Sequence, residues 1–316
     1  MPELPDIELY LDALRRHVVG HALSRVRIAS PFLLRSVDVP PEALVGHVVH
    51  EVSRLGKRIV FGFATGTERT RAPNDELFAV LHLMIAGRLR WREAGARIPG
   101  RLGLAAFDFP HGTLLVTEAG SRKRAALHLV RGRAAVEEMD PGGLEVLTAS
   151  LEDFATALRR ENHTLKRALT DPRILSGIGN AYLDEILHAA SLSPMILTGS
   201  LSDAQMQALF AACRTVLTEW SARLREEAGA TFPEHVTAFR PGMAVHGRHG
   251  QPCPRCGAPV QRIVYASNEA NYCAACQTGG RLLADRALSR LLRDDWPKTL
   301  EELERRRKAD YPSNSR

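Results

Sequence analysis

The sequence predicts an α+β protein of two domains, in which a β-sandwich or flattened barrel with an N-terminal helix precedes a helical domain. Short β-like runs separated by turn residues fill residues 23–129, a pattern typical of antiparallel sheets. After Asp140-Pro-Gly-Gly143 the apolar spacing becomes helical, so this tetrapeptide is the expected hinge. The chain has 316 residues, which is enough for two separate hydrophobic cores.

The first domain is expected to open with a helix and to continue as strands. Asp6 is a candidate N-cap for a helix from about Ile7 to Val18, and Gly20 is its expected stop. Residues 67–75 are expected to form an exposed loop. Examples of the predicted strands are 26–28, 58–63, 78–83, 102–109 and 113–116.

The second domain carries several helix-start signals. Ser150 and Asp153 have the spacing of a capping box, and so have Thr299 and Glu302. Asn180 closes a tight turn and is expected to cap the helix that follows. Residues 228–240 are expected to be irregular. The predicted helices are 150–160, 164–169, 181–190, 202–227, 281–293 and a last one after residue 299.

Composition and charge narrow the class of protein. Hydrophobic residues make up 45% and charged residues 25% of the chain, as in ordinary globular proteins. No apolar run is long enough to span a bilayer, and no signal peptide is visible, so we expect a cytoplasmic protein without membrane partners. The net charge is +6. Residues 240–316 hold 14 basic and 8 acidic residues, and this basic end favours nucleic acid as the partner.

Four cysteines form the strongest single motif. Cys253 and Cys256 make one Cys-x2-Cys pair, Cys273 and Cys276 make another, and sixteen residues separate the pairs. Four thiolates at this spacing can hold one structural Zn²⁺ tetrahedrally. Disulfides are the alternative, which a reducing compartment disfavours. Cys213 lies in an apolar helix pattern and is expected to be a small buried hydrophobic residue.

The first eight residues offer candidate chemistry. An initiator Met before Pro2 is normally removed, which would leave the secondary amine of Pro2 at the chain start. Such an amine titrates below lysine, so part of it is nucleophilic at neutral pH, and its iminium ion is an electron sink. Glu3 is a neighbouring acid or base. The alternative, a stiff turn before a helix, stays open on this segment alone.

Three further features favour phosphate or nucleic-acid binding. The turn Gly177-Ile-Gly-Asn180 precedes a helix, and free amides at a helix start bind phosphate, to which Lys166 would add charge. Lys57 follows a glycine at the start of a predicted strand. A lysine there is usually solvated, so a functional role for Lys57 depends on the other motifs of the chain. Residues 262–271 predict a hairpin whose loop projects Ser267, Asn268 and Glu269. That hairpin is either a nucleic-acid contact or a folding staple.

These motifs stand in one order along the chain: Pro-Glu-Leu-Pro at 2–5, Gly-Lys at 56–57, Gly-Ile-Gly-Asn at 177–180, then the cysteines followed by Gln277. The array resembles the formamidopyrimidine-DNA glycosylase/endonuclease VIII family of base-excision repair enzymes. The resemblance spans residues 2 to about 277. It implies DNA binding in a cleft between domains, with one structural zinc ion.

The resemblance also implies a domain layout. Its four segments are an N-terminal catalytic β-sandwich at 1–135, a helical DNA-binding domain with a helix–two-turn–helix at 136–240, a zinc finger at 241–280 and a C-terminal helical extension at 281–316. The basic run at 305–308 is either a solvated helix end or an added contact to phosphate or a partner. Family members usually act as monomers.

The resemblance also implies an activity, that of a bifunctional DNA glycosylase and abasic-site lyase, and a role for each site residue. Pro2 would attack C1′ of a damaged nucleotide flipped out of the duplex, Glu3 would assist ring opening, and Lys57 would hold backbone phosphates. The iminium ion would permit β- and then δ-elimination. Phosphates and the neighbouring bases would be contacted by His82, Met84, Ile85, Arg124, Lys166, Gly179, Asn180 and Asn268.

Three stretches depart from the family pattern. The void-filling Asp-Pro-Arg-Arg-Phe-Gly loop is replaced by residues 117–125, which hold no Phe, although Arg124 or its neighbours could enter the gap. Asn268 stands at the position of the finger's phosphate-clamping Arg, with loss of a charge-assisted contact. The Met wedge becomes Met84-Ile85, which is either an apolar wedge or sandwich core.

These departures lead to a hypothesis and to two alternatives. The hypothesis is a narrower or different range of lesions, with damaged or abasic DNA, double- or single-stranded, as the partner. The first alternative is a catalytically silent, structure-specific DNA-binding protein of the same fold. The second is an RNA-binding zinc protein.

Overall fold

The structure is a computed structural model that describes residues 1–64, 76–265, 268–283 and 297–310. The side chains of residues 265, 268 and 307–310 are not described. The predicted loop at 67–75 and Ser267 lie outside the described residues, as does most of the predicted helix 281–293. The chain divides into two compact units, residues 1–143 with 217–238 and residues 144–216 with 239–316.

The first unit contains two four-stranded antiparallel sheets, ordered β1-β6-β7-β5 and β2-β3-β4-β8. Apolar residues of both sheets, such as Leu89 and Leu127, belong to one buried cluster, which makes the unit a β-sandwich. The predicted strands agree with the observed ones to within a few residues. The strands are β1 Arg25–Ile28, β2 Val48–Leu55, β3 Arg58–Ala64, β4 Leu77–His82, β5 Gly87–Arg92, β6 Gly103–Phe109, β7 Gly112–Glu118 and β8 Ala126–Arg131.

Helix α1, Leu4–His17, packs one face into the sandwich core. Ile7, Tyr10 and Leu14 recur on that face and are fully buried. The prediction of Asp6 as N-cap was wrong: Glu3 is the N-cap and Asp6 lies one turn in, where the two residues form a capping box. A short helix, α2 Arg133–Glu137, follows β8.

The second unit is helical apart from one hairpin. Ser150 caps α3 by accepting the amide of Asp153, and Thr164 caps α4 in the same way through Arg167. The long helix α6 runs through both units, its first half in the second unit and its second half in the first. The helices are α3 Leu151–Arg159, α4 Leu165–Thr170, α5 Asn180–Ala189 and α6 Asp203–Ala228.

A compact module ends the second unit. It contains the antiparallel strands β9 Val260–Tyr265 and β10 Asn268–Cys273, followed by α7 Ala274–Thr278. The last helix, α8 Leu300–Asp310, has Thr299 as its cap and packs apolar side chains against the module. Within the part of the chain that the structure describes, no helix is long and apolar enough to cross a membrane.

Candidate functional site

The chain start is buried where α1 begins. Pro2 is buried, and Glu3 exposes only 3% of its surface. The carboxylate of Asp6 accepts the Glu3 backbone N–H at 2.9 Å, which fixes the N-terminal turn of α1. The candidate nucleophile and its neighbouring carboxyl group are therefore held by the first turn of a core-packed helix.

Charges near the chain start form one local environment. Burial lowers the pKa of the Met1 amino group, and the nearby cations Arg88 and Lys57 lower it further, while Glu3 and Asp6 oppose them. Burial also lowers the pKa of Lys57, against the attraction of Glu3. The charges of Glu3 and Lys57 thus shift the pKa of the amine, and the charge of Glu3 also shifts the pKa of Lys57. These interactions are strong because the groups are poorly hydrated.

Arg88 is a candidate residue that the sequence reasoning missed. It lies in β5, and its guanidinium donates a hydrogen bond to the Gly87 carbonyl at 2.6 Å. Its charge acts on the chain-start amine. The sequence feature that could have identified Arg88 is its position, since it is a basic residue shortly after the turn that carries Met84 and Ile85.

That β4–β5 turn holds both candidate wedge residues. Met84 has a φ of +53°, a rare value for a residue other than glycine, and is half-buried. Ile85 is 54% exposed. A β-carbon at Gly87 would collide with the Leu83 carbonyl oxygen, so only glycine fits after this turn. Because Ile85 is exposed, it does not belong to the sandwich core, which was one of the two alternatives for this residue.

His82 closes β4 next to this turn. Its Nε2 atom is buried and has no hydrogen-bond partner among the described residues. Burial lowers the pKa of His82 to about 4, and the cations Arg58 and Lys57 and the His128 ring act in the same direction. The imidazole is therefore neutral at pH 7 in the free protein.

The connection from β7 to β8 is tied to one buried carboxylate. Glu118 is 2% exposed and accepts the backbone amides of Arg124 at 2.9 Å and Ala125 at 3.1 Å. The Lys123 ammonium donates to the Glu118 carbonyl. The side chain of Arg124 is exposed. This connection is ordered around Glu118 and presents Arg124 to solvent.

In the second unit the candidate phosphate turn leads directly into α5. Gly177 has a φ of +81°, a backbone conformation that favours glycine. The prediction of Asn180 as N-cap was wrong: Gly179 is the N-cap and Asn180 is the first helical residue. Burial lowers the pKa of Lys166, while Asp184 and Glu269 raise it. The turn and Lys166 belong to the same unit.

The four cysteines meet in one cluster. Their sulfur atoms all lie within 4.8 Å of one another, with Cys253 and Cys276 at 3.9 Å and Cys256 and Cys273 at 3.4 Å. Tetrahedral zinc–thiolate bonds of about 2.3 Å place sulfurs about 3.8 Å apart, so the donor set fits Zn²⁺. Beside it, Gln277 accepts the Cys273 amide at 2.8 Å, fixing the second knuckle.

A buried polar network joins α5 to the segment leading into this cluster. The Glu185 carboxylate accepts three successive backbone amides, from Ala244 at 2.6 Å, Val245 at 2.9 Å and His246 at 2.9 Å. Next to it, Asp184 pairs with the His246 ring at 2.8 Å. No local sequence pattern indicates these pairings, because the partners lie about 60 residues apart.

The hairpin residues differ from their predicted placement. Asn268 and Glu269 were expected in the loop, but both lie in β10, where Asn268 is opposite Tyr265. The strand pairing extends as far as Asn268 and so includes both residues. The role expected for Asn268 stays a prediction.

Comparisons with known proteins cover most of the chain. Residues 1–129 match the formamidopyrimidine-DNA glycosylase N-terminal domain, residues 143–227 match its H2TH domain, and residues 250–279 match a zinc finger found in FPG and IleRS. A formamidopyrimidine-DNA glycosylase of Exiguobacterium sibiricum is 30% identical over 294 residues, which cover 88% of this chain and 99% of that protein. This chain belongs to the formamidopyrimidine-DNA glycosylase family. The four cysteines are accordingly the ligands of one structural zinc ion.

Other relatives support the same membership in the glycosylase family. A formamidopyrimidine-DNA glycosylase of Desulforamulus reducens is 29% identical over 88% of this chain and 99% of its own length. An uncharacterized formamidopyrimidine-DNA glycosylase-like protein of Mycobacterium tuberculosis is 41% identical over 48% of this chain and 94% of its own length. The Lactococcus lactis Fpg bound to abasic-site DNA has the same fold, with a TM-score of 0.74 and 22% identity over 87% of this chain and 99% of that one.

Proposed function

We propose that this family member is a bifunctional DNA glycosylase and abasic-site lyase of base-excision repair. The observation that carries the proposal is the shared environment of the chain-start amine, Glu3 and Lys57 at the buried start of α1. The partner is damaged or abasic DNA, as in the Lactococcus lactis relative bound to abasic DNA.

The proposed reaction begins once Met1 is removed. The lone pair of the Pro2 nitrogen attacks C1′ of the damaged nucleotide, and the base leaves with the electrons of the glycosidic bond. The Pro2 nitrogen then gives up its proton, which neutralises the departing base. Glu3 transfers a proton to the ring oxygen as the sugar opens, so that Pro2 and C1′ form an iminium ion. Burial that lowers the pKa of the Met1 amine would also keep the Pro2 amine unprotonated.

The iminium ion then drives strand cleavage. It acidifies the C2′–H bond, and loss of that proton expels the 3′ phosphate by β-elimination. A second elimination expels the 5′ phosphate, and water releases the sugar remnant from Pro2. Lys57 would hold the backbone phosphates through these steps, and burial of its ammonium strengthens such a contact.

Several residues are proposed to hold and deform the DNA. The exposed Ile85, on a turn strained at Met84, suits an apolar wedge between base pairs. His82 has a buried nitrogen that a phosphate could satisfy. Arg124 is exposed and able to enter the gap left by a flipped base. In the second unit the proposed phosphate contacts are Lys166, Gly179, Asn180 and Asn268.

We further propose that the lesion range is narrower than, or different from, that of ordinary family members. The support is the absence of Phe from residues 117–125 and the presence of Asn268 at the Arg position of the finger. Cleavage of defined lesions in single- and double-stranded oligonucleotides tests this idea. Processing of 8-oxoguanine opposite cytosine as fast as by an ordinary family member would contradict it.

A silent, structure-specific DNA-binding protein is the second candidate, because the same departures remove void-filling and clamping groups. Incubation with abasic DNA separates the two. The enzyme cuts the strand and leaves a phosphate at both ends, whereas the silent protein binds without cutting. In the enzyme, Pro2→Gly reduces cutting at least about a hundredfold, a size in line with losing covalent catalysis.

A further inference from the structure

One end of the sheet β2-β3-β4-β8 carries basic side chains on its outer face. The inner residues of these strands enter the sandwich core, whereas Val60 and Phe78 pack with Val136 on the outer face. Strand residues alternate between faces, so Arg58 and His128 share the outer face with them. Arg58 lies directly opposite His82, and His128 lies diagonal to His82 on β8.

A second arginine reaches the same place from outside the sheet. The Arg35 backbone amide donates to the Leu127 carbonyl at 2.8 Å, so this segment runs beside β8 next to His128. Arg58 is itself anchored, since its guanidinium donates to the Met139 carbonyl at 2.5 Å. Arg35 is exposed, and Arg58 and His128 are half-buried. We name Arg35, Arg58 and His128 the outer-face cluster.

No carboxylate of the described residues is among the charges that act on the two imidazoles at this end of the sheet. The charges that act on the His128 ring come from Arg58 and Arg35, and both lower its pKa together with burial. Those that act on His82 are Arg58, Lys57 and His128. An anion placed over this end of the sheet would be attracted by the guanidinium groups of Arg35 and Arg58, and its charge would favour protonation of the His128 ring.

We propose that Arg35, Arg58 and His128 form a second seat for a phosphate of the nucleic-acid backbone, adjoining the one at Lys57 and His82. The proposal rests on the proposed function, because it extends the phosphate track of the same DNA strand. A phosphodiester fits, since it offers anionic oxygens to two guanidinium groups and to an imidazole that takes up a proton on binding. None of the comparisons assigns a role to these three residues.

Salt-dependent binding tests the second seat. The probe is a fluorescent duplex with one tetrahydrofuran abasic analogue, and its dissociation constant is measured by anisotropy over a series of KCl concentrations. Each lost phosphate contact reduces the slope of log K against log[KCl] by about 1. Arg58→Gln is expected to reduce the slope by about 1 and to weaken binding about tenfold at 0.15 M KCl, whereas Arg58→Lys keeps most of the slope.

Two further variants keep the test decisive. His128→Lys places a permanent cation in the seat, so it should tighten binding about threefold or more and steepen the slope, a gain that misfolding does not produce. Arg131→Gln removes the same charge from the other end of β8 and should leave the slope unchanged. Equal slopes for the wild type, Arg58→Gln and His128→Lys overturn the seat while the proposed function stands, provided the wild type cuts abasic DNA. A wild type that does not bind the probe overturns both.

Discussion

Replacing Glu185 should detach the segment that leads into the zinc finger. Its buried carboxylate accepts three backbone amides, at 2.6–2.9 Å, from residues 244–246. A hydrogen bond to a charged group contributes about 1.5–3 kcal/mol. Because water would reach part of the gap left by Glu185→Ala, we expect a loss of roughly 3–6 kcal/mol, a large share of the stability of a typical domain. Glu185→Gln keeps one acceptor oxygen, so its loss should be about half.

The assay is urea unfolding with zinc present, combined with hydrogen exchange of the amides at residues 244–246. In the wild type these amides should exchange slowly, and in both variants their protection should fall before global unfolding. Glu152→Ala, at an exposed position of α3, should change stability by less than about 0.5 kcal/mol. A loss below about 1 kcal/mol for Glu185→Ala, with protection retained, would refute the reasoning.

Two further predictions concern protons and metal. The pKa of His82 is lowered to about 4 in the folded chain, whereas an unfolded histidine takes up a proton near pH 6.5. The contribution of His82 to the free energy of unfolding is therefore complete above pH 6.5, and it falls by roughly 3 kcal/mol as the pH is lowered toward 4. His82→Gln should flatten this part of the urea-unfolding pH profile, and an unchanged profile contradicts the assignment. The purified chain should release one zinc ion on denaturation, measured with a metallochromic dye. Cys256→Ser should lower that content and the melting temperature, whereas Cys213→Ala should still carry one ion, and equal zinc in both variants excludes the four-cysteine site.

Local signals in the sequence predicted much of the fold. The cysteine spacing predicted the metal site, the side chains at Ser150 and Thr299 predicted helix starts, and short β-like runs predicted strands such as β3. Such features depend on residues that are neighbours in the chain, and this is why the pattern alone identifies them.

Features that depend on residues distant in the chain could not be predicted from local sequence patterns. Asn180 has a good capping side chain, yet Gly179 takes the N-cap because the glycine turn sets where helical geometry begins. Met84 has a positive φ within the turn that brings Gly87 against the Leu83 carbonyl. The charge of Arg88 near the chain start depends on sandwich packing, as does the meeting of Arg58 with His128.

The account depends most on the identity of the attacking atom. The direct measurement is reduction with borohydride in the presence of abasic DNA, followed by protease digestion and mass spectrometry of the cross-linked peptide. We predict a stable adduct on the nitrogen of Pro2, in a chain that has lost Met1, and no adduct with a preparation that retains Met1. An adduct on a lysine such as Lys57, or efficient strand cutting by the Met1-retaining chain, would contradict the account.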